Sequence, residues 1–503
     1  MRTDSEIQNT YYRNFKTIRN KFRKFEPTDL IVRILDYANR EQTNFDNCRK
    51  RRPWVCLLLV KWIIMDEQFH HSSRPNATDK QLTEILRLTG NLESNNRMPD
   101  EYDVSHHFFR KYIHQQFIYQ KPLSFQEIGR QFILFGDIEE NHKIRIKFQK
   151  KHNIDINHFL MLSLATAVNF HNSTSLNVNN HWYSSLSPAL TKNLPDFFNS
   201  TSKTITKLRD SLTETQPAQR RASEFYEHTP LINTPFLLLN NSYWIPHRQI
   251  FFRGIENFIY NTLSEDSLEE FNSLFTKKFE QHVESIISSL NLPYATEKQL
   301  LQRKRSGKVV DFLISDESNN ARISVEAKCV SASNNLMLND GSMEILRATK
   351  ANIAKATKQC IEFNNWLNKN HDTKPKNPHR DFAIIITYGE LQVINAEHFS
   401  YLTNEMLSKS LREKYGDDIE LERIFFASIG EFEALVKCHI EGISPISETL
   451  ARILESQKNA NAGNKRMAIG QYLFEWEMDQ GSHPIIVDRF SKEVENLRAH
   501  MKC

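Results

Sequence analysis

The chain has 503 residues, 39% hydrophobic and 25% charged, the balance of a folded globular protein and not of a disordered one. That length exceeds what one compact core holds, so two or three domains are expected. A formal net charge of +4 is too small to signal nucleic acid by itself, so only local clusters of basic residues can carry that meaning. Cys48, Cys56, Cys329, Cys360, Cys438 and Cys503 form no C-x-x-C pair and no regular spacing, which argues against a disulfide frame or a zinc site and fits free thiols in a reducing cytoplasm.

The opening MRTDSEIQNTYYRNFK has no apolar run, so no signal peptide is expected there. In RNFKTIRNKFRKF (13–25), Phe15, Ile18, Phe22 and Phe25 recur at helical spacing with Arg and Lys between them. A surface helix packed on its neighbours is the plain reading, and contact with nucleic acid the sharper one. The longest apolar run, WVCLLLVKWIIM (54–65), is broken by Lys61 and falls well short of the roughly 20 residues a membrane span needs. A buried helix is expected, and no membrane partner. His70–His71 and His106–His107 lack the i, i+4 spacing of helical metal ligands and read as solvated. LSFQEIGRQF (123–132) has the look of an opening helix-turn-helix. Residues 1 to about 230 read as mostly helical, with only Gly90, Gly129 and Gly136 before residue 250. In PFLLLNNSYWIP, Asn-Asn between apolar runs predicts a hairpin, and a helix is expected from about 255.

From about 265 the order becomes helix, strand, strand, helix, strand. FNSLFTKKFEQHVESIISSL is amphipathic at the helical period. KVVDFLI and ARISVEAKCV read as strands joined by the turn-forming SDESNN. MEILRATKANIAKATKQCIEFNNWL reads as a helix, and DFAIIITY as a central buried strand. RIFFAS has the same look and leads into a short helix, GEFEALVKCHI. Helix-like composition returns from about 445, with a bend expected at NANAGN.

Two of these strands carry charges that a core disfavours. Alternate strand residues share a face, so Glu326 and Lys328 point together, and Asp311 points with Val309 and Leu313. Pairing around SDESNN brings Asp311 beside Glu326. Two carboxylates in a partly buried space repel unless a cation sits between them, and Mg²⁺ suits one or two carboxylates with several waters. A lysine on the same face can neutralise charge developing on a phosphate. The plainer reading of the same residues is a cross-strand ion pair on a solvated sheet face.

Helix, then a hairpin carrying Asp on one strand and Glu-x-Lys on the next, resembles the PD-(D/E)xK nuclease superfamily. The resemblance covers about 265–440. It implies a restriction-endonuclease-like mixed α/β domain and a Mg²⁺-dependent endonuclease, with Mn²⁺ as a substitute ion. By this match Asp311, Glu326 and the Ala327 carbonyl are metal ligands and Lys328 is the catalytic lysine. Glu280, in KKFEQHVESIISSL, is the helix acid and a further metal-site residue, binding a second ion or a metal-bound water, and Gln359 fills an auxiliary polar role. Val310 stands where the family often has proline. The tripeptide alone says little, since Asp372–Lys374 repeats it inside a proline-containing loop. The surrounding helix and strands give the first occurrence its meaning.

Arg303, Lys304, Arg305 and Lys308 run straight into Asp311, and the next helix carries Arg347, Lys350, Lys355 and Lys358. Such clusters attract a phosphate backbone without reading sequence. No G-x-x-x-x-G-K-[ST] occurs, so a built-in P-loop motor is not expected.

The expected organisation is α+β or α/β. It comprises a largely helical region at 1–255 for recognition, regulation or oligomerisation, a nuclease-like domain at 256–440 and a helical tail at 441–503. The expected activity is DNA cleavage in the cytoplasm, in a restriction or anti-phage role, with partner proteins from the same operon as candidates. Double-strand cutting would need a homodimer or sequential nicking. RNA as substrate, or a nuclease-like binding or assembly module without cleavage, stand as alternatives.

Overall fold

The computed structural model describes residues 4–40, 51–69, 74–95, 102–120, 124–171, 175–178, 180–215, 220–304, 307–369, 381–417, 419–460, 465–478 and 481–501. The chain divides into two compact units. The first comprises Met1–Met98, Tyr112–Asp266 and Arg489–Cys503, and the second Pro99–Lys111 and Ser267–Asp488. No described helix is long and apolar enough to cross a membrane.

The first unit is mainly helical. Its Asp4–Phe22 helix buries Tyr11, Phe15, Ile18 and Phe22, the stripe that the 3.6-residue period places on one side. The Pro53–Ile64 helix is buried at every position, which explains why its sequence shows a continuous apolar run instead of a stripe. Lys61 is compensated there: its ammonium lies 3.0 Å from Glu224 and 3.0 Å from Glu227. Three short strands, β1 (Ser202–Thr204), β2 (Phe236–Leu239) and β3 (Ser242–Trp244), form a small sheet. β2 and β3 are antiparallel, and Asn240 and Asn241 make the turn at φ 47° and 61°. Both central residues of a two-residue type I′ turn need positive φ, a region asparagine tolerates.

Three expectations for this region change. The helix expected from about 255 starts at Arg248, opened by His247, whose ring accepts the Gln249 N–H at 3.2 Å. Residues 125–136 form short 3₁₀, α and π turns that bury Ile128, Arg130 and Gln131, so they offer no exposed element for a DNA groove. His107, which belongs to the second unit, is not solvated: its ring is 13% exposed and 4.0 Å from Asp340. His70, His71 and the side chain of His106 lie outside the described residues, as does most of NANAGN.

The second unit is built on a five-stranded sheet in the order β4-β5-β6-β7-β8. These strands are Tyr294–Thr296, Phe312–Asp316, Ala321–Lys328, Phe382–Thr387 and Ile424–Ser428. Pairing is antiparallel from β4 to β6 and parallel from β6 to β8. Parallel neighbours need crossovers, supplied by the Lys355–Lys369 helix before β7 and by Ala396–Leu402 and Met406–Tyr415 before β8. FAIIIT in β7 is wholly buried, as expected of an interior strand covered on both faces. The predicted helix at 343–367 is interrupted by a π turn at Lys350–Ala354.

The expected boundaries shift. The Arg248–Asp266 helix is continuous and largely buried within the first unit. The break falls at Ser267, whose hydroxyl accepts the Glu270 N–H at 3.3 Å and starts the Leu268–Ser288 helix. Residues 441–488 are no separate tail: Ser447 donates to Asp316 of β5 at 2.5 Å, and the Gly470 N–H donates to Glu431 at 2.8 Å.

Candidate functional site

Asp311 immediately precedes β5 instead of lying inside it. The β5–β6 register, with Phe312 opposite Val325, carries it to the end of β6 where Glu326, Ala327 and Lys328 sit. There the Ala327 N–H donates to Asp311 Oδ2 at 2.7 Å, and the Asp311 backbone amide favours the charged form of Glu326. The N–H and C=O of one strand residue leave on the same edge, so the Ala327 carbonyl is turned towards the Asp311 side as well.

Glu326 is 1% exposed. Lys328 donates to one of its oxygens. Gln359 Nε2 donates to the other at 2.9 Å and also to the Val309 carbonyl at 2.6 Å. Glu326 lies opposite Ile385 in the sheet, on the face covered by the Lys355–Lys369 helix. Ser324, two residues back on the same face, donates to Asn364 of that helix at 2.7 Å.

The Leu268–Ser288 helix also packs against β6. Its Asn272 side-chain amide oxygen accepts the Cys329 thiol at 3.7 Å, just past the end of β6. Glu280, on this helix, lies within electrostatic reach of Asp311, Glu297, Lys328 and Lys277. Among the described residues no group of three or more His, Cys, Asp or Glu side chains is placed to hold a metal ion.

The acids hold their protons unusually tightly. Burial, then the Asp311 charge, push Glu326 up to about 8 despite Lys328. Burial, then Asp311 and Glu297, push Glu280 up to about 7. Asp311 is raised by burial, against the pull of Lys328 and the Ala327 N–H. Burial alone would lower Lys328, but Glu326 and Asp311 outweigh it and hold the ammonium charged. At neutral pH the cluster thus carries fewer negative charges than three free acids would.

These residues fit a divalent ion in reduced form. Asp311, Glu326 and the Ala327 carbonyl make an all-oxygen set, and Mg²⁺ takes one or two carboxylates with waters completing its shell. Glu280 would stand behind them. Glu297, whose charge reaches both Glu280 and Asp311, was missed in the sequence. It opens a short helix whose Thr296–Gln299 capping box was readable.

The basic residues surround this site unevenly. Arg303, Lys308, Arg347, Lys350, Lys355 and Lys358 are exposed, whereas Lys304 is half-buried and donates to the Lys308 carbonyl at 2.5 Å. The Lys304 ammonium also lies 5.9 Å and 5.8 Å from the Phe363 and Trp366 ring centres. Arg305 lies outside the described residues. No family model, no curated protein and no solved structure matches the chain.

Proposed function

We propose that the chain is a Mg²⁺-dependent endonuclease that hydrolyses phosphodiester bonds in DNA. The observation that carries this reading is the junction of Asp311, Glu326 and Lys328 at one end of the β5–β6 pair, with the Ala327 N–H bound to Asp311 at 2.7 Å. Nearly full burial of Glu326 disfavours the solvated ion pair that is the plainer reading. Asp311, Glu326 and the Ala327 carbonyl would hold Mg²⁺ or Mn²⁺, and a divalent ion there supplies an activated water and neutralises phosphate charge.

The chain's own groups do the rest. Lys328 stays charged beside its carboxylates and is placed to offset negative charge building on the phosphate. Gln359, anchored on the Val309 carbonyl, fixes the direction of Glu326. Glu280, raised to about 7, is tuned to give or take a proton at neutral pH. The exposed lysines and arginines around the site favour a polyanionic substrate. A role in defence against foreign DNA rests on the resemblance of this domain arrangement to restriction and anti-phage nucleases.

A second reading draws on a specific feature: both Glu326 oxygens are already engaged by Lys328 and Gln359. A binding module without cleavage would keep them so. Supercoiled, linear and single-stranded DNA and an RNA, each incubated with Mg²⁺ or EDTA, separate the readings. Mg²⁺-dependent nicking of plasmid DNA is expected. Binding of every substrate with no cutting in Mg²⁺ or Mn²⁺ would favour the module, and cutting confined to RNA would change the substrate.

A further inference from the structure

The second unit takes one short segment, Pro99–Lys111, from far ahead of its strands in the chain. Arg110 of that segment, on the Tyr102–Gln120 helix, is 2% exposed. Its guanidinium donates to the Leu336 carbonyl at 3.0 Å and to the Leu391 carbonyl at 3.4 Å, and its remaining polar contact is the Met337 sulfur at 3.2 Å. None of these acceptors carries a charge. Burial pulls Arg110 down to about 10, with the Asp340 charge countering in part, so it is still a cation at neutral pH. A buried cation held by neutral acceptors costs more than an apolar residue of similar length would. Stability alone gives the chain little reason to keep it.

Its acceptors lie on two different loops, both leaving strands at the acid site. Leu336 and Met337 sit in the short Asn334–Leu338 helix that follows β6, and Leu391 in the segment that follows β7. Lys328, the last residue of β6, lies opposite Thr387, the last of β7, in a parallel pair. The carboxyl ends of such strands are where open α/β sheets hold ligands. The two loops are joined a second time next to Lys328. The Lys328 carbonyl accepts the Val330 N–H at 2.7 Å, and the Val330 carbonyl accepts the Gly389 N–H at 3.1 Å. Only glycine fits at 389, because a Cβ there would lie 2.9 Å from Ser331 Cβ and 3.2 Å from its Cα. Backbone contact thus runs from Lys328 through Val330 to the β7 loop, and Arg110 ties the far ends of both loops.

We infer that Arg110 is a positioning residue for the acid site: it locks the loops leaving β6 and β7 together and so fixes the backbone that carries Lys328. This rests on the reading of the Asp311 site as a nuclease centre, and adds to it a residue far from the Glu-x-Lys motif in sequence. Displacing a reacting group by about 1 Å can cost about 10²-fold in rate, so a clamp at this distance from the chemistry has a measurable effect.

Steady-state nicking of supercoiled plasmid in Mg²⁺, with Arg110→Met made alone and in a Lys328→Met background, tests this. Arg110→Met alone should lower kcat by about 10–10²-fold and leave KM nearly unchanged, because the lysine acts on charge that forms only in the transition state. In the Lys328→Met background the same change should cost less than about threefold, since no lysine is left to misplace. Amide hydrogen exchange should quicken around Met337 and Leu391 while β6 and β7 stay protected. Arg110→Lys, which keeps the charge but loses the fork that spans both carbonyls, carries the same comparison if Arg110→Met does not fold. Equal losses in the two backgrounds, or a kcat that Arg110→Met leaves unchanged, would overturn the role and leave the nuclease reading standing. Plasmid left uncut by the unmodified protein would instead remove the nuclease reading, and this role with it.

Discussion

Glu326→Gln is expected to lower Mg²⁺-dependent plasmid cleavage by about 10²–10⁴-fold, the range for removing a positioned acid–base or charge-stabilising group, while the protein melts at the same temperature or higher. The two halves of this result pull in opposite directions for a physical reason. Glu326 is buried and its pKa is raised to about 8, so the folded state pays for its charge. A neutral isostere removes that penalty and keeps the hydrogen bond from Lys328 on its amide oxygen; the bond from Gln359, which then faces an NH₂, is lost at a cost of about 1 kcal/mol, smaller than the penalty removed. A residue retained for stability would show the reverse, loss of melting temperature with activity preserved. Lys328→Met should lose a similar factor in rate but should also destabilise, because it leaves Asp311 and Glu326 buried without their cation. Quantified nicking of supercoiled DNA and thermal melts of the same preparations check both.

Glu224→Ala is expected to cost about 3–5 kcal/mol of folding free energy, the range for breaking a buried ion pair from one side. Lys61 and Glu224 are 2% and 4% exposed. The same Glu224 oxygen also takes the Trp62 indole N–H at 2.9 Å and Arg220 at 3.0 Å. Removing it strands donors in the core, and Glu227, 21% exposed, compensates Lys61 only in part. Lys61→Met/Glu224→Leu should recover much of the loss, since an apolar replacement of the whole pair leaves nothing unpaired. Urea denaturation of the single and double variants measures this, and a loss under 1 kcal/mol in the single variant would show that Glu227 alone suffices.

Much of the second unit was legible because its signals are local. β7 announces itself as five apolar residues in a row, β6 as a run ending in the Glu-x-Lys, and the Asn240–Asn241 turn by a residue pair that tolerates positive φ. The pairing of Asp311 with the end of β6 followed from one short turn and the period of two. Other features were not legible. β4 has three residues, too few for any periodicity, and its neighbour Glu297–Arg303 has only seven, too few to show an apolar stripe. The compensation of Lys61 comes from Glu224 and Glu227, more than 160 residues away in the chain, and leaves no trace at short range.

The central claim is that Asp311 and Glu326 form a divalent-ion site and not a buried ion pair with Lys328. The sign of its pH dependence is fixed by the raised acids. With folded values of about 8 for Glu326 and about 7 for Glu280 against 4.5 in free chains, they favour the fold below the free value. That contribution is lost as pH rises through the folded values, where a bound cation would restore it. Calorimetric titration with Mn²⁺ at pH 6, 7.5 and 8.5, in buffers of different ionisation enthalpy, reads the site directly. The account predicts one saturable site per chain that tightens with rising pH, releases protons to the buffer at pH 7.5, and disappears in Asp311→Asn/Glu326→Gln. Absence of binding at pH 8.5, or binding that the double variant retains, would contradict it.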